Sequence, residues 1–292
     1  MSAAVGRIAA PAPISPFRLG LRRFRRHRTG MVGLALVLGF IAVAALAPLL
    51  APYSPIAASW DAIRLAPSLA HPMGTDEIGR DELSRVIWGA RASLAAGVLS
   101  VLMAAAIGVP AGLVAGFAGG WVDAILSRIV DAMLAIPFLI LAIALAAFLG
   151  PNLRNAMIAI GVTSAPGFMR VARAATLDTM TFDFIEAARA LGNPPWRIAL
   201  RHVAPNITAP VLVQATLSIA TAIIAEASLS FLGLGEQPPF PSWGSMLNAA
   251  QQFLTQAPWL AIFPGIAIFL VVLGFNLMGD GLRDVLDTRR RG

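Results

Sequence analysis

Long apolar stretches alternate with short polar ones along the whole chain. Uncharged stretches cover residues 29–60, 92–122, 132–153, 155–169, 203–225 and 237–279. A membrane-spanning helix needs about 20 mostly apolar residues, so this pattern predicts six spans. We place them at residues 31–51, 94–116, 129–149, 155–174, 207–232 and 259–280. The fourth contains Gly161, Pro166 and Gly167, and we expect these residues to kink it.

The apolar runs are apolar on every side. A transmembrane β-strand alternates apolar and polar residues over about ten positions, whereas the first predicted span contains LALVLGFIAVAALAPLL. No polar stretch is long enough to bury a core of its own. The sequence therefore predicts an all-α integral membrane protein with one membrane domain and two tails.

Composition excludes several chemistries. Apolar residues make up 58% of the chain, and the 22 basic residues are all Arg. Without Lys there is no Walker A phosphate loop and no lysine Schiff base. Without Cys there is no disulfide, thiolate metal site or cysteine nucleophile, and the three His residues lie in separate segments. We therefore expect no catalytic site, no cofactor site and no metal site, and the chain is not expected to be an enzyme.

The Arg residues indicate the orientation of the spans. With the N-terminus in the cytoplasm, seventeen Arg residues fall at inner positions and five at outer positions. The positive-inside rule therefore predicts that both termini are cytoplasmic. The net charge of +7 lies mainly in the first 28 residues and beside span ends. Anionic lipid headgroups, and not nucleic acid, are its expected partner.

The two tails and the outer segments follow from this topology. Residues 1–30 form a basic cytoplasmic tail, in which Phe17, Leu21 and Phe24 have the spacing of an amphipathic helix on the membrane surface. A signal peptide is the competing interpretation, but the apolar run at 31–51 is too long for one. Residues 52–91 and 233–258 are then extracytoplasmic, and 283–292 form the cytoplasmic C-terminal tail.

Both outer segments carry local structural signals. Asp76, Arg80 and Arg85 belong to a run of mixed charges spaced three and four residues apart, which predicts a short helix with internal ion pairs rather than a binding site. In the second outer segment, Ser242 is the expected N-cap of a short helix, with Trp243 at the depth of the lipid headgroups.

Glu226 is the one carboxylate well inside a predicted span. A charged group there should face protein or water because facing lipid is costly. Two interpretations stay open, a structural hydrogen bond to Ser or Thr on a neighbouring span and a polar wall of a transport path. The candidate path residues are Glu226, Ser228, Thr163 and Ser164.

A polar segment separates the fourth and fifth spans. Residues 184–191 predict one short helix, which Gly192 can end in the left-handed conformation. Asn193 can then cap a second short helix that ends at Pro205 and Asn206. A connecting loop is the simple alternative. Small residues on the first helix and an exposed Trp196 on the second favour a docking element instead.

The same segment resembles a known motif. Glu-Ala-Ala, a Gly after three further residues and a later Pro-Asn resemble the EAA loop of ABC importer permeases. The stretches GTDEIGRDELSRVIWGARASL and EASLSFLGLGEQPPFPSWGSML resemble two further signatures of the dipeptide, oligopeptide and nickel permeases. The resemblance covers residues 17–285 and corresponds to the C-type permease of the pair. The implied ATPase-coupling residues are Glu186, Ala187, Ala188, Arg189, Gly192, Trp196, Arg197, His202, Pro205 and Asn206.

The resemblance implies an architecture and a set of partners. It implies the type I ABC importer permease fold, with a five-helix core at 92–282 and a coupling loop at about 183–206. The implied partners are a second, homologous permease, two cytoplasmic ATPases that bind ATP, and an extracytoplasmic substrate-binding protein. The implied location is the bacterial inner membrane. Peptide is the expected substrate, and nickel or another small solute is the alternative.

An ion-coupled secondary transporter is the rival function from another class. Such a carrier needs titratable groups near the middle of the membrane and usually an internal repeat. The sequence contains one off-centre carboxylate and no repeat, so the ABC permease is favoured.

Overall fold

A computed structural model describes residues 22–286, and this part of the chain is mainly α-helical, with non-helical segments at 51–81, which contains one short 3-10 turn, Trp60–Ala62, and at 232–242, and without any β-strand. Between residues 28 and 286 eleven α-helices follow one another: α1 Arg28–Ala45, α2 Ala47–Leu50, α3 Glu82–Ala118, α4 Gly120–Leu134, α5 Phe138–Leu149, α6 Leu153–Thr179, α7 Asp183–Ala190, α8 Pro195–Ile198, α9 Ala204–Phe231, α10 Trp243–Ala250 and α11 Trp259–Leu286. Phe17 and Leu21 of the predicted interfacial helix lie outside the described residues, whereas Phe24 lies in a short helical stretch at 22–24.

Within residues 22–286, four helical stretches are long and apolar enough to cross a membrane. They are α1, α3, the continuous stretch Pro195–Phe231 that ends with α9, and α11. The third predicted span, 129–149, is wrong as a single straight helix, because α4 and α5 meet at 89° at a break before Pro137. Pro137 has no N–H to donate into the preceding turn, which explains why α4 ends there. Counting this bent pair as one span gives five.

The helix α6 covers the fourth predicted span but is too polar to pass the same test. It is 27 residues long and continues through Pro166, which is buried inside it. Its neighbours α3, α5 and α9 cover it, and Phe168 and Ile160 are fully buried. A helix enclosed by protein does not need an apolar surface toward lipid, so low hydropathy is compatible with a central position.

The pair α3 and α6 forms the centre of the molecule. Three glycines of α3, Gly108, Gly112 and Gly116, lie four residues apart and face α6. A Cβ at Gly112 would meet the carbonyl oxygen of Met169, and one at Gly116 would lie 2.8 Å from Thr176 Cβ. Small residues at this spacing let two helix backbones approach closely.

A second packing centre surrounds Trp243 at the start of α10. Ser242 caps this helix by accepting from Ser245 N–H, as predicted. Trp243 is fully buried, and its Nε1–H donates to the carbonyl oxygen of Val86 at 3.0 Å. The side chain is therefore enclosed by protein, and its depth at the lipid headgroups stays a prediction. The side chain packs edge-on against Phe40 of α1, with ring centroids 5.7 Å apart.

The first outer segment is a folded turn and not the predicted short helix. Residues 76–81 form a loop that ends in a backbone bridge between Thr75 and Asp81, and helix α3 begins only at Glu82. The predicted ion pairs do form. Arg80 Nε lies 2.5 Å from Asp76 Oδ2, and Arg85 Nε approaches the same oxygen at 3.3 Å. All three of these side chains are buried, so the turn is fixed by its own charges.

Candidate functional site

The helix α7 carries the Glu-Ala-Ala motif and is held on the end of the bundle by two of its side chains. Ile185 and Ala188 are buried in a cluster with Ile198, Val203 and Ile207. Burying residues three apart leaves the opposite face of α7 in solvent. That exposed face includes Glu186, Ala187 and Arg189.

The turn after α7 has the geometry predicted for Gly192. Its φ angle is +74°, in the left-handed region that favours Gly. Gly192 N–H donates to Arg189 O at 2.9 Å, and Asn193 N–H donates to Ala188 O at 3.2 Å. These two bonds form a Schellman motif, which satisfies the carbonyl groups at the end of a helix.

Asn193 and Pro205 do not have the roles predicted for them. The N-cap residue of α8 is Pro194, with Pro195 in the first turn, and Asn193 instead completes the end of α7. The chain does not stop at Pro205 either. A π-helical turn, Ala199–Val203, joins α8 to α9. This wider turn accommodates the ring of Pro205, which would clash with the carbonyl oxygen four residues earlier in a regular helix.

From the end of α7 through the π-helical turn the loop exposes apolar side chains among charged ones. Leu191 is 82% exposed, and Trp196 and Leu200 are each 62% exposed. The Arg197 guanidinium carbon lies 5.5 Å from the centre of the Trp196 ring. Sequence reasoning identified Trp196 but missed Leu191 and Leu200, although both are apolar residues in an otherwise polar loop. Asn206 Nδ2 donates to His202 O at 2.6 Å, so the end of the motif supports the helix backbone.

The candidate path residues do not form one group. Glu226 is completely buried, and Ser230 Oγ, one turn later on the same helix, donates to its Oε1 at 2.7 Å. Thr163 is buried and donates to Ala159 O at 2.8 Å, while Ser164 and Ser228 are partly exposed. Ser230 Oγ also accepts from the backbone N–H of Glu236 in the outer loop at 3.3 Å. Partial burial raises the pKa of the Glu236 carboxyl above its usual value.

A polar cleft between α4 and α6 was not predicted. Its lining includes Ser127 and Asp131 of α4, and Arg170 and Arg173 of α6, and it encloses about 360 Å³. Arg173 forms a bidentate ion pair with Asp123, which lies one helical turn before Ser127 on α4. The spacing of Asp123, Ser127 and Asp131, four residues apart, is the sequence signal that could have identified one polar face of α4.

Comparison with protein families gives two matches along the chain. Residues 108–292 match the family described as binding-protein-dependent transport system inner membrane component. Residues 15–67 match the N-terminal transmembrane domain of oligopeptide transport permease C.

Individual relatives match almost the whole chain. A dipeptide transport system permease protein of Alkalihalophilus pseudofirmus is 45% identical over 95% of this chain and 91% of its own length. Glutathione transport system permease proteins are similarly close. The one from Pectobacterium atrosepticum is 45% identical over 94% of this chain and 92% of its own, and the one from Escherichia coli O6:K15:H31 is 46% identical over 95% and 92%.

The fold also matches a solved structure. The inward-facing MetNI methionine ABC transporter contains a chain that superposes with a TM-score of 0.59 at 24% identity. The match covers 70% of this chain and 97% of that one. At this identity the likeness concerns the fold, which is that of a type I ABC permease. Together with the apolar helices, these matches show that the chain belongs to the binding-protein-dependent ABC transport permeases, multi-pass proteins of the bacterial inner membrane.

Proposed function

We propose that this permease forms half of the translocation path of an ATP-driven importer for peptides. It pairs with a second, homologous permease, and an extracytoplasmic binding protein delivers the substrate. Two cytoplasmic ATPases bind and hydrolyse ATP, and this chain itself binds no cofactor. The names of the relatives support a peptide substrate, because they transport dipeptides and glutathione, which is a tripeptide.

The single observation that carries the coupling role is the surface around Gly192. Leu191 and Trp196 protrude on either side of a turn with fixed geometry, while Ile185 and Ala188 anchor the helix before it. Exposed apolar groups rimmed by charged ones mark protein interaction sites. An ATPase subunit is the occupant that membership of this family favours.

The anchoring explains how a movement of the ATPase reaches the membrane. The helix α7 follows α6 after three residues, and its buried cluster contains Ala172 of α6 and Ile207 of α9. A displacement of α7 therefore moves the inner ends of both helices. This is the rigid-body transmission that alternating access requires.

We also infer the topology that this function needs. The helix α6, although polar, crosses the membrane within the bundle, and the bent pair α4 and α5 provides the third crossing. With α1, α3, α9 and α11 these make six spans, and both termini are cytoplasmic. Residues 52–91 and 233–258 then face the binding protein, whereas 183–206 face the ATPases.

The experiment is reconstitution of the complex with its second permease, ATPases and binding protein in proteoliposomes. We expect ATP-dependent uptake of a labelled dipeptide and stimulation of ATP hydrolysis by the loaded binding protein. Replacing Leu191 and Trp196 together by Ser should abolish both and leave pairing of the two permeases intact. The control replaces Phe148, an exposed residue at the end of α5 that the inferred topology places on the outer side of the membrane, by Ser. Unchanged uptake and ATPase stimulation in the Leu191 and Trp196 variant would refute the docking surface. Transport of another solute but of no peptide would refute the proposed peptide substrate.

A further inference from the structure

The polar cleft between α4 and α6 contains two ion pairs of different character. Arg173 donates Nη2–H to Asp123 Oδ2 at 2.5 Å and Nε–H to the other carboxylate oxygen. The Asp123 side chain is only 18% exposed. Ser127 Oγ donates to the same carboxylate at 3.2 Å. Both carboxylate oxygens of Asp123 therefore accept hydrogen bonds from Arg173, and this ion pair links α4 to α6.

The second ion pair, between Arg170 and Asp131, is exposed to solvent. Arg170 Nη2 lies 2.7 Å from Asp131 Oδ1, which is the one hydrogen bond between them. Their side chains are 57% and 52% exposed. Each therefore keeps donor or acceptor atoms for another group. An exposed single-contact ion pair contributes little to stability, so holding α4 in place does not account for both charges.

The depth of this pair restricts what it can face. Arg170 lies 17 residues after Leu153, the first residue of α6, which corresponds to about 26 Å along a helix at 1.5 Å per residue. In the proposed topology this places the cleft near the cytoplasmic edge of a hydrocarbon core about 30 Å thick. Charged side chains at such depths face protein or a water-filled path and not lipid tails.

The charges of the cleft indicate the ligand. Asp123 and Asp131 balance Arg170 and Arg173, so the two ion pairs together have no net charge, and the exposed pair offers one group of each sign. A simple anion could pair only with Arg170, and a simple cation only with Asp131. A short zwitterion matches both, because its ammonium group can pair with Asp131 and its carboxylate with Arg170. A volume of about 360 Å³ lies within the range of small-molecule sites and suits a peptide of two or three residues.

We propose that the α4–α6 cleft is a low-affinity exit site for short peptides with free amino and carboxyl termini. Asp131 binds the amino terminus, and Arg170 binds the carboxyl terminus. The Asp123–Arg173 pair positions α4 and does not touch the ligand. The inference rests on the proposed peptide import, and it adds a contact on the cytoplasmic side after release from the binding protein.

The chain contains no Cys, so a single thiol can report occupancy. The complex is placed in nanodiscs of phosphatidylcholine and phosphatidylglycerol without nucleotide or binding protein. Ser127→Cys places the thiol in the cleft, and Ile129→Cys places it on the exposed opposite face of the same helix. The rate of reaction with N-ethylmaleimide is measured with and without millimolar dialanine.

We expect dialanine to slow the labelling of Ser127→Cys about two- to fivefold, because an exposed ion pair makes a weak site that millimolar ligand occupies only in part. The labelling rate of Ile129→Cys should stay unchanged. N-acetyl-dialanine methylamide, which lacks both charges, should give no protection. Asp131→Asn or Arg170→Gln should remove the protection by dialanine, while the labelling rate of Ile129→Cys in these backgrounds reports whether α4 is still folded normally.

Equal rates with and without dialanine, or equal protection by the blocked peptide, would overturn the exit site. The assay is repeated in nanodiscs in which phosphatidylethanolamine replaces phosphatidylcholine. Protection by this lipid, with no further effect of dialanine, would also overturn the exit site, because a lipid headgroup would then be the occupant. Uptake of labelled dipeptide by the unmodified complex is measured separately. Uptake of dipeptide without protection of Ser127→Cys would refute only the exit site. Absence of dipeptide uptake would refute the proposed function.

Discussion

Asn193 donates twice to the carbonyl oxygen of Ala188, from its side-chain amide at 3.1 Å and from its backbone N–H at 3.2 Å. Both bonds cross the turn at Gly192, so the end of α7 and the start of α8 have one fixed relation. Ala188 is itself buried against the bundle. The turn that presents Leu191 and Trp196 is therefore tied directly to the part of the loop that packs on the membrane helices.

We expect Gly192→Val to separate coupling from assembly. No atom lies within 4 Å of a Cβ at Gly192, so the substitution causes no clash. The cost is the left-handed φ of +74°, which amounts to roughly 1–2 kcal/mol for a residue with a side chain. The turn should relax to another conformation and displace Trp196. The two permeases should still co-purify, but stimulation of ATP hydrolysis by the loaded binding protein should be lost.

Gly192→Asn is the matched control, since Asn adopts the left-handed conformation more readily than other residues with a side chain. It should retain most of the stimulation. Full activity of Gly192→Val, or equal loss in both variants, would contradict a role for the turn geometry.

The close approach of α3 and α6 predicts a stability effect. Gly112→Leu places a side chain where the carbonyl oxygen of Met169 lies, so the helices must separate. Overpacking of this kind costs about 1–3 kcal/mol. Thermal unfolding of the purified permease in detergent should shift to lower temperature. Gly265→Leu, in α11 with no atom within 4 Å of the new Cβ, is the control that should unfold as the unmodified protein does.

Glu226 gives a prediction that decides between its two roles. It is completely buried and accepts from Ser230 at 2.7 Å, so we expect a structural role. Glu226→Ala leaves the Ser230 hydroxyl group without this partner and should destabilise the permease by about 1–3 kcal/mol. Glu226→Gln keeps an acceptor and should be milder. Normal thermal stability of Glu226→Ala together with loss of uptake would instead support a place in the transport path.

Hydropathy predicted the helices that have to meet lipid. The runs within α1, α3, α9 and α11 are apolar because little protein covers them, and each lies where an apolar stretch predicts it. The helix α6 was located through its uncharged part alone. Its polar character follows from its neighbours in space, which a single sequence does not reveal. The 89° break before Pro137 was missed because the residues on both sides of it are apolar.

The coupling loop shows the same division between local and tertiary signals. The left-handed turn at Gly192 was predictable because backbone conformation there depends on one residue. The π-helical turn at Ala199–Val203 was not, since it compensates for Pro205 within a helix whose continuation is set by packing on the bundle. The burial of Trp243 similarly depends on α1 and α3, which are distant in sequence.

The proposed orientation predicts which residues a membrane-impermeant reagent can reach. Trp60, in the first outer segment, is 76% exposed, and Trp196 is 62% exposed on the coupling loop. In spheroplasts, Trp60→Cys should react with an impermeant maleimide before lysis, and Trp196→Cys only after lysis. The absence of native Cys makes the background low. Labelling of Trp196→Cys before lysis would contradict the assigned topology.

The buried charges of the first outer segment predict the largest stability effect. Asp76 Oδ1 accepts from the backbone N–H groups of Ile78 and Arg80, at 3.1 and 2.9 Å, while its other oxygen faces the guanidinium groups of Arg80 and Arg85. Asp76→Ala removes these contacts and leaves two buried positive groups without their shared partner. Breaking a buried pair on one side typically costs about 3–5 kcal/mol.

The expected result is local unfolding of residues 52–81, seen as rapid proteolytic cleavage of this segment in right-side-out vesicles. Asp61→Ala, an exposed carboxylate in the same segment, is the control that should stay resistant. Asp76→Asn keeps one acceptor oxygen but removes the charge, so it should be intermediate if the ion pairs contribute beyond the turn hydrogen bonds. If Asp76→Ala resists protease as well as Asp61→Ala does, the Asp76 ion pairs do not hold this segment, and its fold depends on other contacts, such as the ring contact of Tyr53 with His71.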